Sequence, residues 1–360
     1  MTGRPQLSVA GRPRIQIDGA AAERLEEDLI RLEARADAAG VASLEAVFLN
    51  WGSRSLGDPV DFVHFDRADI DFGKRIRVAF EVTGAEVAIF DGLITGIGGA
   101  YPELRAPELT LLAEDALTGL RYRRRTRLSE DQTDGDIAAR ILGDAGLSPD
   151  VGRDGSSHTA LWQVNQDDLS ALRERAGDAL IALRDGTVRI TEPVNAADPP
   201  IRLTRENDLI RFTVLADLAH QRGEVRVHGW DVAAKEAIHE RAGADAVRPE
   251  ASGGRLGPEV VTQVFANAAE DLHLEAPATG AEARTLAEAA MRRRARRFVR
   301  GVGLTLGTPS LRVGSRVELV DLGPWFAGTY LVTAVVHRFD QSDGYRTEFV
   351  AQRPDLGGGS

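Results

Sequence analysis

The tetrapeptide Asp-Leu-Ile-Arg occurs twice in the chain, at Asp28–Arg31 and at Asp208–Arg211. Laid over each other without gaps, the two stretches agree at Asp28, Leu29, Ile30, Arg31, Ala36, Asp37 and Ala39, each with an identical partner 180 positions later. Such a repeat constrains the fold, because a duplicated unit has to bury the same face twice. An alternating run follows each copy: "SLEAVFLNW", ending at Trp51, and "GEVRVHGW", ending at Trp230. Apolar and polar residues alternating with period two mark half-buried strands, so each copy is predicted to open with a hairpin.

The echo resumes downstream. "FGKRIRV" (72–78) and "VGSRVEL" (313–319) each set a glycine, Gly314 in the second, before an alternating strand. "FDGLITGI" (90–97) and "FAGTYLVTAV" (326–335) share Phe-x-Gly, where Gly92 and Gly328 are expected to permit a turn or bulge. A closing strand follows in each, "ELTLLAED" and "YRTEFVAQ". Each copy has about enough strands for a small antiparallel barrel or sandwich.

Between the copies the pattern changes. Thr133 and Asp136 are spaced as a capping box ahead of Ile137, Ile141, Leu142 and Ala145, with Gly146 as a stop. A second helix is predicted with Asn165 as N-cap, Leu169, Leu172 and Ala176 on one face, and Gly177 at its end. A hairpin follows around Asp185-Gly186. In the second copy, "GAEARTLAEAAMRRRARRFVRG" is an alanine-rich helix with Glu288 four residues before Arg292. The expected fold class is therefore α+β. Two similar antiparallel β-barrel-like domains occupy 1–114 and 201–355, an α+β insert occupies 115–200, and a loop and helix interrupt the second barrel at about 232–307. Residues 356–360 read as a flexible tail or an engineering scar.

Composition narrows the chemistry. The net charge is −11, from 55 acids against 44 bases, which disfavours nucleic acid and anionic membranes as partners. There is no cysteine, which excludes disulfides, thiol catalysis and cysteine-ligated zinc. No apolar run approaches the ~20 residues of a membrane helix, and "MTGRPQLSVAGRPR" has no apolar signal core, so folding in the cytoplasm is expected. None of the seven histidines falls in a known ligand spacing, and His337, beside Arg338 in a predicted strand, reads as structural. There is no Gly-x-Ser-x-Gly elbow and no P-loop, and "GVGLTLG" (301–307) has the wrong spacing for a dinucleotide fingerprint. No catalytic residue, cofactor or metal is expected. Carboxylates are plentiful, and a peptidoglycan-degrading pair stands as the alternative, although nothing singles out two of them.

Two basic clusters remain: Arg121, Arg123, Arg124 and Arg125 in "RYRRRTR", and Arg292, Arg293, Arg296 and Arg297 in "MRRRARRFVR". In an acidic chain, with few aromatics interleaved, they point to subunit or partner contacts ahead of nucleic acid. Asp115, Glu130 and Asp131 are candidate acids for pairing with them.

The closing stretch "TLGTPSLRVGSRVELVDLGPWFAGTYLVTAVVHRFDQSDGYRTEFVAQR", with "FDGLITGI", "WQVNQDDLSALRERAGD" and "VRVHGWD", resembles the phage late control protein D family of contractile-tail baseplate hubs. The resemblance covers about Arg14 to Pro354 and extends to the hub portion of type VI secretion spikes and of phage-like extracellular injection machines. It implies a non-enzymatic homotrimeric ring in which three chains present six similar barrels, with Asp28 and Asp208 marking the repeat. Such a ring adapts a threefold spike to a sixfold inner tube. The implied partners are a separate spike protein, expected because the chain ends at "RPDLGGGS", the inner tube or its initiator, baseplate wedge components, and cargo in the channel.

Overall fold

A computed structural model of the chain describes residues 11–38, 40–53, 58–65, 67, 69–195, 198–232, 234–266, 268–272 and 277–357. The glycine-rich end from 358, His273 and part of the linker after Trp51 lie outside the described residues. The chain is mostly antiparallel sheet with some helices.

The first third contains β1 (Arg14–Ile17), β2 (Ala20–Ala21), α1 (Glu23–Asp28), β3 (Leu29–Asp37), β4 (Ser43–Leu49), β5 (Arg75–Val82), β6 (Ala85–Ala100) and β7 (Glu108–Glu114). The middle contains β8 (Arg124–Thr133), α2 (Asp134–Asp144), β9 (Ser148–Val151), β10 (Ser157–Asp167), α3 (Asp168–Ala176), β11 (Leu180–Arg184) and β12 (Thr187–Thr191). Then come β13 (Ile201–Thr204), β14 (Leu209–Ala216), β15 (Glu224–Asp231), β16 (Glu236–Ala242), β17 (Arg255–Leu256), α4 (Gly257–Val264), β18 (Ala269–Leu272), α5 (Gly280–Arg296) and β19 (Val299–Leu306). The last elements are β20 (Arg316–Val320), α6 (Gly323–Phe326), β21 (Gly328–Asp340), β22 (Gly344–Arg353) and β23 (Asp355–Leu356).

Two compact units result. One comprises the chain up to Thr118 with Leu304–Arg312 and Ala334–Phe349; the other comprises Gly119–Gly303, Val313–Thr333 and Val350 onward. In the first unit the strands run in the order β3-β4-β7-β6-β5-β1. The end of β21 lies antiparallel to β3, from Ala334 opposite Asp37 to Asp340 opposite Arg31. Alternation turns Leu29, Leu32, Phe48, Ile76, Phe80, Leu109 and Leu111 inward, where Phe339 and Tyr345 join them. Each such large side chain contributes about 1.5–3 kcal/mol by leaving water. Burial lowers His337 to about 3, helped by the Arg312 charge, and pushes the Tyr345 phenol far up. His337 Nδ1 lies 2.8 Å from Tyr345 Oη and 3.2 Å from Thr347 Oγ1, so the neutral ring has partners.

The remaining strands run in the order β14-β19-β22-β21, with β20 beside β21 and β13 beside β20. Read outward from each Asp-Leu-Ile-Arg strand, this is the order β3-β4-β7-β6-β5-β1 again, except that β13 runs parallel to β20 where β1 runs antiparallel to β5. "GEVRVHGW" is a strand, β15, but it does not form a hairpin with β14: it pairs antiparallel with β16 and parallel with β18. The reason is packing. Val225 and Val227 are buried with Ala283, Ala287, Ala290 and Met291 of α5, so β15 belongs to the sheet that this helix covers. Alternation identifies a strand without naming its partner. The strand beside β14 is β19, and the interruption between them leaves and returns where the Asp217 N–H donates to the Phe298 carbonyl at 2.9 Å.

The β5–β6 and β20–β21 pairs match closely. Gly73 (φ +79°) donates to Ile94 O and Gly314 (φ +84°) donates to Val332 O, both at 2.9 Å. Arg75 then faces Leu93, and Arg316 faces Leu331. Under this correspondence the Phe-x-Gly motifs are two residues out of step: Phe90 stands where Gly328 does, and Gly92 where Tyr330 does. Gly92 makes no turn. It sits inside β6, where a Cβ would come within 2.3 Å of the Glu114 carbonyl oxygen, so close strand approach demands glycine there. Gly328, at φ +130°, opens β21.

The insert follows its sequence closely. Thr133 and Asp136 form the reciprocal capping box of α2, Gly146 takes φ +75° just beyond it, and β11–β12 turn at Asp185-Gly186, both at positive φ. Asn165 does not cap α3. It lies within β10, and the Asp167 carboxylate accepts from Ser170 N at 2.8 Å instead. A strand that runs directly into a helix moves the cap to the last extended residue.

Candidate functional site

The two arginine clusters meet different environments. In the first, Arg123 Nη1 donates to the Asp144 carbonyl at 2.6 Å and Arg124 Nε to Asn165 Oδ1 at 3.3 Å. Arg125 reaches Asp168 at 3.0 Å, and Arg127 ties Asp168 and Asp144 together. Asp168 is fully buried at the start of α3. Pairing of β8 with β10 brings these arginines over that helix end, where a carboxylate suits the positive pole. Arg121 is exposed at the end of a short 3₁₀ turn.

In the second cluster, helical spacing divides the arginines. Arg292 and Arg296, four apart, face inward; Arg293 and Arg297 are exposed. Arg292 forks onto Asp178 at 2.8 and 3.1 Å. Arg296 donates to Asp178 at 2.7 Å, to both Glu250 oxygens at 2.6 Å, and to the Asp178 carbonyl at 2.9 Å. Arg153 approaches Asp178 at 3.5 Å. Burial alone would raise Asp178 and lower the arginines. The mutual bonds outweigh it, so Asp178 is held below its ordinary value and Arg292 and Arg296 above theirs. The acids bonded to Arg125, Arg127, Arg292 and Arg296 are Asp168, Asp144, Asp178 and Glu250. Asp115 accepts from the Ala42 and Leu117 N–H groups. Asp178 lies 114 residues from Arg292, a distance no local pattern spans.

A cavity of about 190 Å³ adjoins this network, lined by Glu250, Arg296, Arg316, Tyr330 and Arg353 among others. Arg353 is almost fully buried, bonded to the Ala327 and Trp325 carbonyls, with its Cζ 4.7 Å from the Tyr330 ring centroid. The Tyr330 hydroxyl donates to Phe326 O at 2.8 Å, and burial raises its pKa to about 12. Glu250 pairs with Arg296, and Arg353 and Tyr330 are held by backbone carbonyls and by each other, which suits a structural post. Among the described residues, no group of three or more His, Asp or Glu is arranged to hold a metal ion.

The exposed chemistry of the first unit is aromatic. Trp51 meets Phe62 edge-on at 5.3 Å, Phe62 stacks on Phe65 at 5.5 Å, and Tyr101 meets Phe62 at 6.1 Å. Trp51, Phe65 and Tyr101 are exposed. Gly99 lies under these rings, its would-be Cβ 3.0 Å from Tyr101 Oη. Only Trp51 stood out in the sequence; the remaining rings are scattered through loops, and nothing in their spacing joins them.

The family model described as the Alg8 N-terminal domain matches residues 57–341, more than half of the chain. The chain belongs to the Alg8 N-terminal domain family. Solved structures with this family member's fold include the 43 kDa tail protein of prophage MuSo2 from Shewanella oneidensis, with a TM-score of 0.68 at 12% identity, covering 96% of this chain and 99% of that one. A tail protein from Neisseria meningitidis MC58 gives 0.65 at 13% identity, covering 95% and 96%. An E. coli component of the type VI secretion system, itself similar to T4 bacteriophage tail proteins, gives 0.59 at 13% identity, covering 94% and 76%. At these identities the likeness is one of fold, and at that level the Alg8 N-terminal domain chain agrees with the tail-hub resemblance of its sequence. No curated protein sequence matches it. Among the described residues no helix is long and apolar enough to cross a membrane.

Proposed function

We propose that this chain is a structural hub of a contractile tail or phage-like injection particle, a homotrimer joining a threefold spike to the sixfold inner tube. The observation that carries the reading is the recurrence of one strand order, β3-β4-β7-β6-β5-β1 and β14-β19-β22-β21-β20-β13, each headed by Asp-Leu-Ile-Arg. A chain holding the unit twice offers a sixfold partner six similar docking faces once three chains close a ring. The two copies correspond to 1–114 and 201–355, with 115–200 as a separate insert. The fold shared with tail proteins and with a type VI component supports the setting. The exposed arginines Arg121, Arg293 and Arg297 suit contacts with acidic neighbours. Arg292 and Arg296 serve inside the chain. The spike, the tube or its initiator, and wedge components are the proposed neighbours, and the role is mechanical.

Native mass spectrometry of the purified chain, followed by averaged electron images, tests this. Three chains in a ring with six lobes support it. A monomer at all concentrations, which also fails to enter a ring with spike and tube proteins, defeats it.

A further inference from the structure

The strand β21 changes neighbours along one edge. Gly328–Leu331 pair with β20, and from Ala334 onward that edge pairs with β3. Its counterpart β6 begins the same way. Ala85–Leu93 pair with β5, while Leu93–Ala100 pair with β7 on the opposite edge. Past Leu93, however, the β5-side edge of β6 meets no other strand among the described residues. The counterpart of β3 shows the complementary gap. β3 lies between β21 and β4, whereas β14 ends its sheet with β19 as its one neighbouring strand among the described residues.

We infer that the outer edge of β14 in one chain pairs antiparallel with the Gly96–Ala100 edge of β6 in a second copy, repeating between chains the junction that β3 and β21 make within one. This rests on the trimeric hub reading for the number of chains, and supplies the contact that holds them.

Three observations support it. First, the register transfers. Carrying Arg31–Asp37 onto Arg211–Asp217, and Ala334–Asp340 onto Gly96–Pro102, sets Ala100 opposite Thr213. The bulge at Thr95 inserts one residue, which if counted out sets Ala100 opposite Val214. Second, burial differs as a missing neighbour requires. β3 buries Leu32 and Ala34, while Val214 at the place of Ala34 is half-buried, and Ile210 and Leu215 are 49% and 65% exposed. Third, apart from the bulge at Thr95 and the exposed Arg211, both edges lack the devices that keep edges apart. β14 contains no proline or lysine, and β6 ends in Gly96, Gly98 and Gly99 beside exposed Tyr101 and Phe65. The two edges are different strands, so the contact is head-to-tail, and three copies about the proposed threefold axis close it into a ring.

The absence of cysteine makes a direct test available. In the full chain, Ala100→Cys is combined in turn with Thr213→Cys and with Val214→Cys, and each is oxidised. One of the two pairs is expected to give an interchain disulfide ladder ending at the closed ring, while the single variants stay uncross-linked. A single Thr213→Cys that cross-links to itself overturns the pairing in favour of a symmetric β14 contact. Leu215→Lys, at an exposed position, is expected to keep the circular dichroism spectrum and weaken self-association at least tenfold; unchanged association overturns the inference. Native mass separates the two levels. A multimer without the Ala100 cross-link defeats this pairing and leaves the hub reading standing, whereas a monomer without cross-link defeats both.

Discussion

Phe80 and Tyr345 stack face to face, with ring centroids 3.7 Å apart and planes 6° from parallel. Their positions lie far apart in sequence, and the stack ties β5 to β22 within the first unit's core.

Removing this stack should be costly. Tyr345→Ala is expected to destabilise the protein by about 3–5 kcal/mol, whereas Tyr345→Phe keeps the ring, loses the hydroxyl near His337 and costs about 1 kcal/mol. Gly307→Ala would place a Cβ 1.9 Å from Tyr345 Cδ1, and overpacking there should cost about 1–3 kcal/mol. Urea unfolding of the three variants checks the ranking.

His337 predicts an acid-sensitive fold. Its folded pKa of about 3 lies below the ordinary histidine value of 6.5, so between these values the unfolded chain binds a proton that the folded chain refuses. Stability is therefore complete above pH 6.5 and falls as pH drops toward 3, by about 1.4 kcal/mol per unit from this group. His337→Gln should flatten that slope in urea midpoints measured from pH 4 to 7; an unchanged slope would exclude His337 as its source.

Asp178 anchors α5. Asp178→Asn removes the charge between Arg292 and Arg296 and one of the two oxygens onto which Arg292 forks, while Arg296 keeps Glu250, and the expected loss is about 3–5 kcal/mol. Replacing Arg293, exposed on the same helix, should cost far less. Thermal melts of the two variants provide the comparison.

The cap of α3 offers a sharper check of local structure. Asp167→Ala should lower stability by about 1 kcal/mol, since its carboxylate satisfies the Ser170 N–H. A chemical-denaturation midpoint equal to wild type would return the cap to Asn165.

How far the sequence reaches depends on the distance over which a signal acts. The α2 capping box and the Asp185-Gly186 hairpin are written in neighbouring residues and form where those residues predict, while the alanine-rich α5 stops at Arg296, short of its predicted end at Gly301, because β19 already runs from Val299. The partner of β14 is not local. "GEVRVHGW" alternates as well as "VRGVGLTL" does, and only the packing of α5 on Val225 and Val227 decides which strand joins which sheet. The acids that hold the arginines were illegible for the same reason. Asp178 is one aspartate among many until the fold brings it to Arg292 and Arg296.

The two-residue displacement of Phe-x-Gly carries a lesson about how such units diverge. Because side chains change face at every step along a strand, sliding a motif by two leaves inside what was inside. A lineage can therefore let its spelling creep along the extended segments in even steps while the tight turns at Gly73 and Gly314 hold the frame still. Kinship between such halves is better sought at their corners than in their letters.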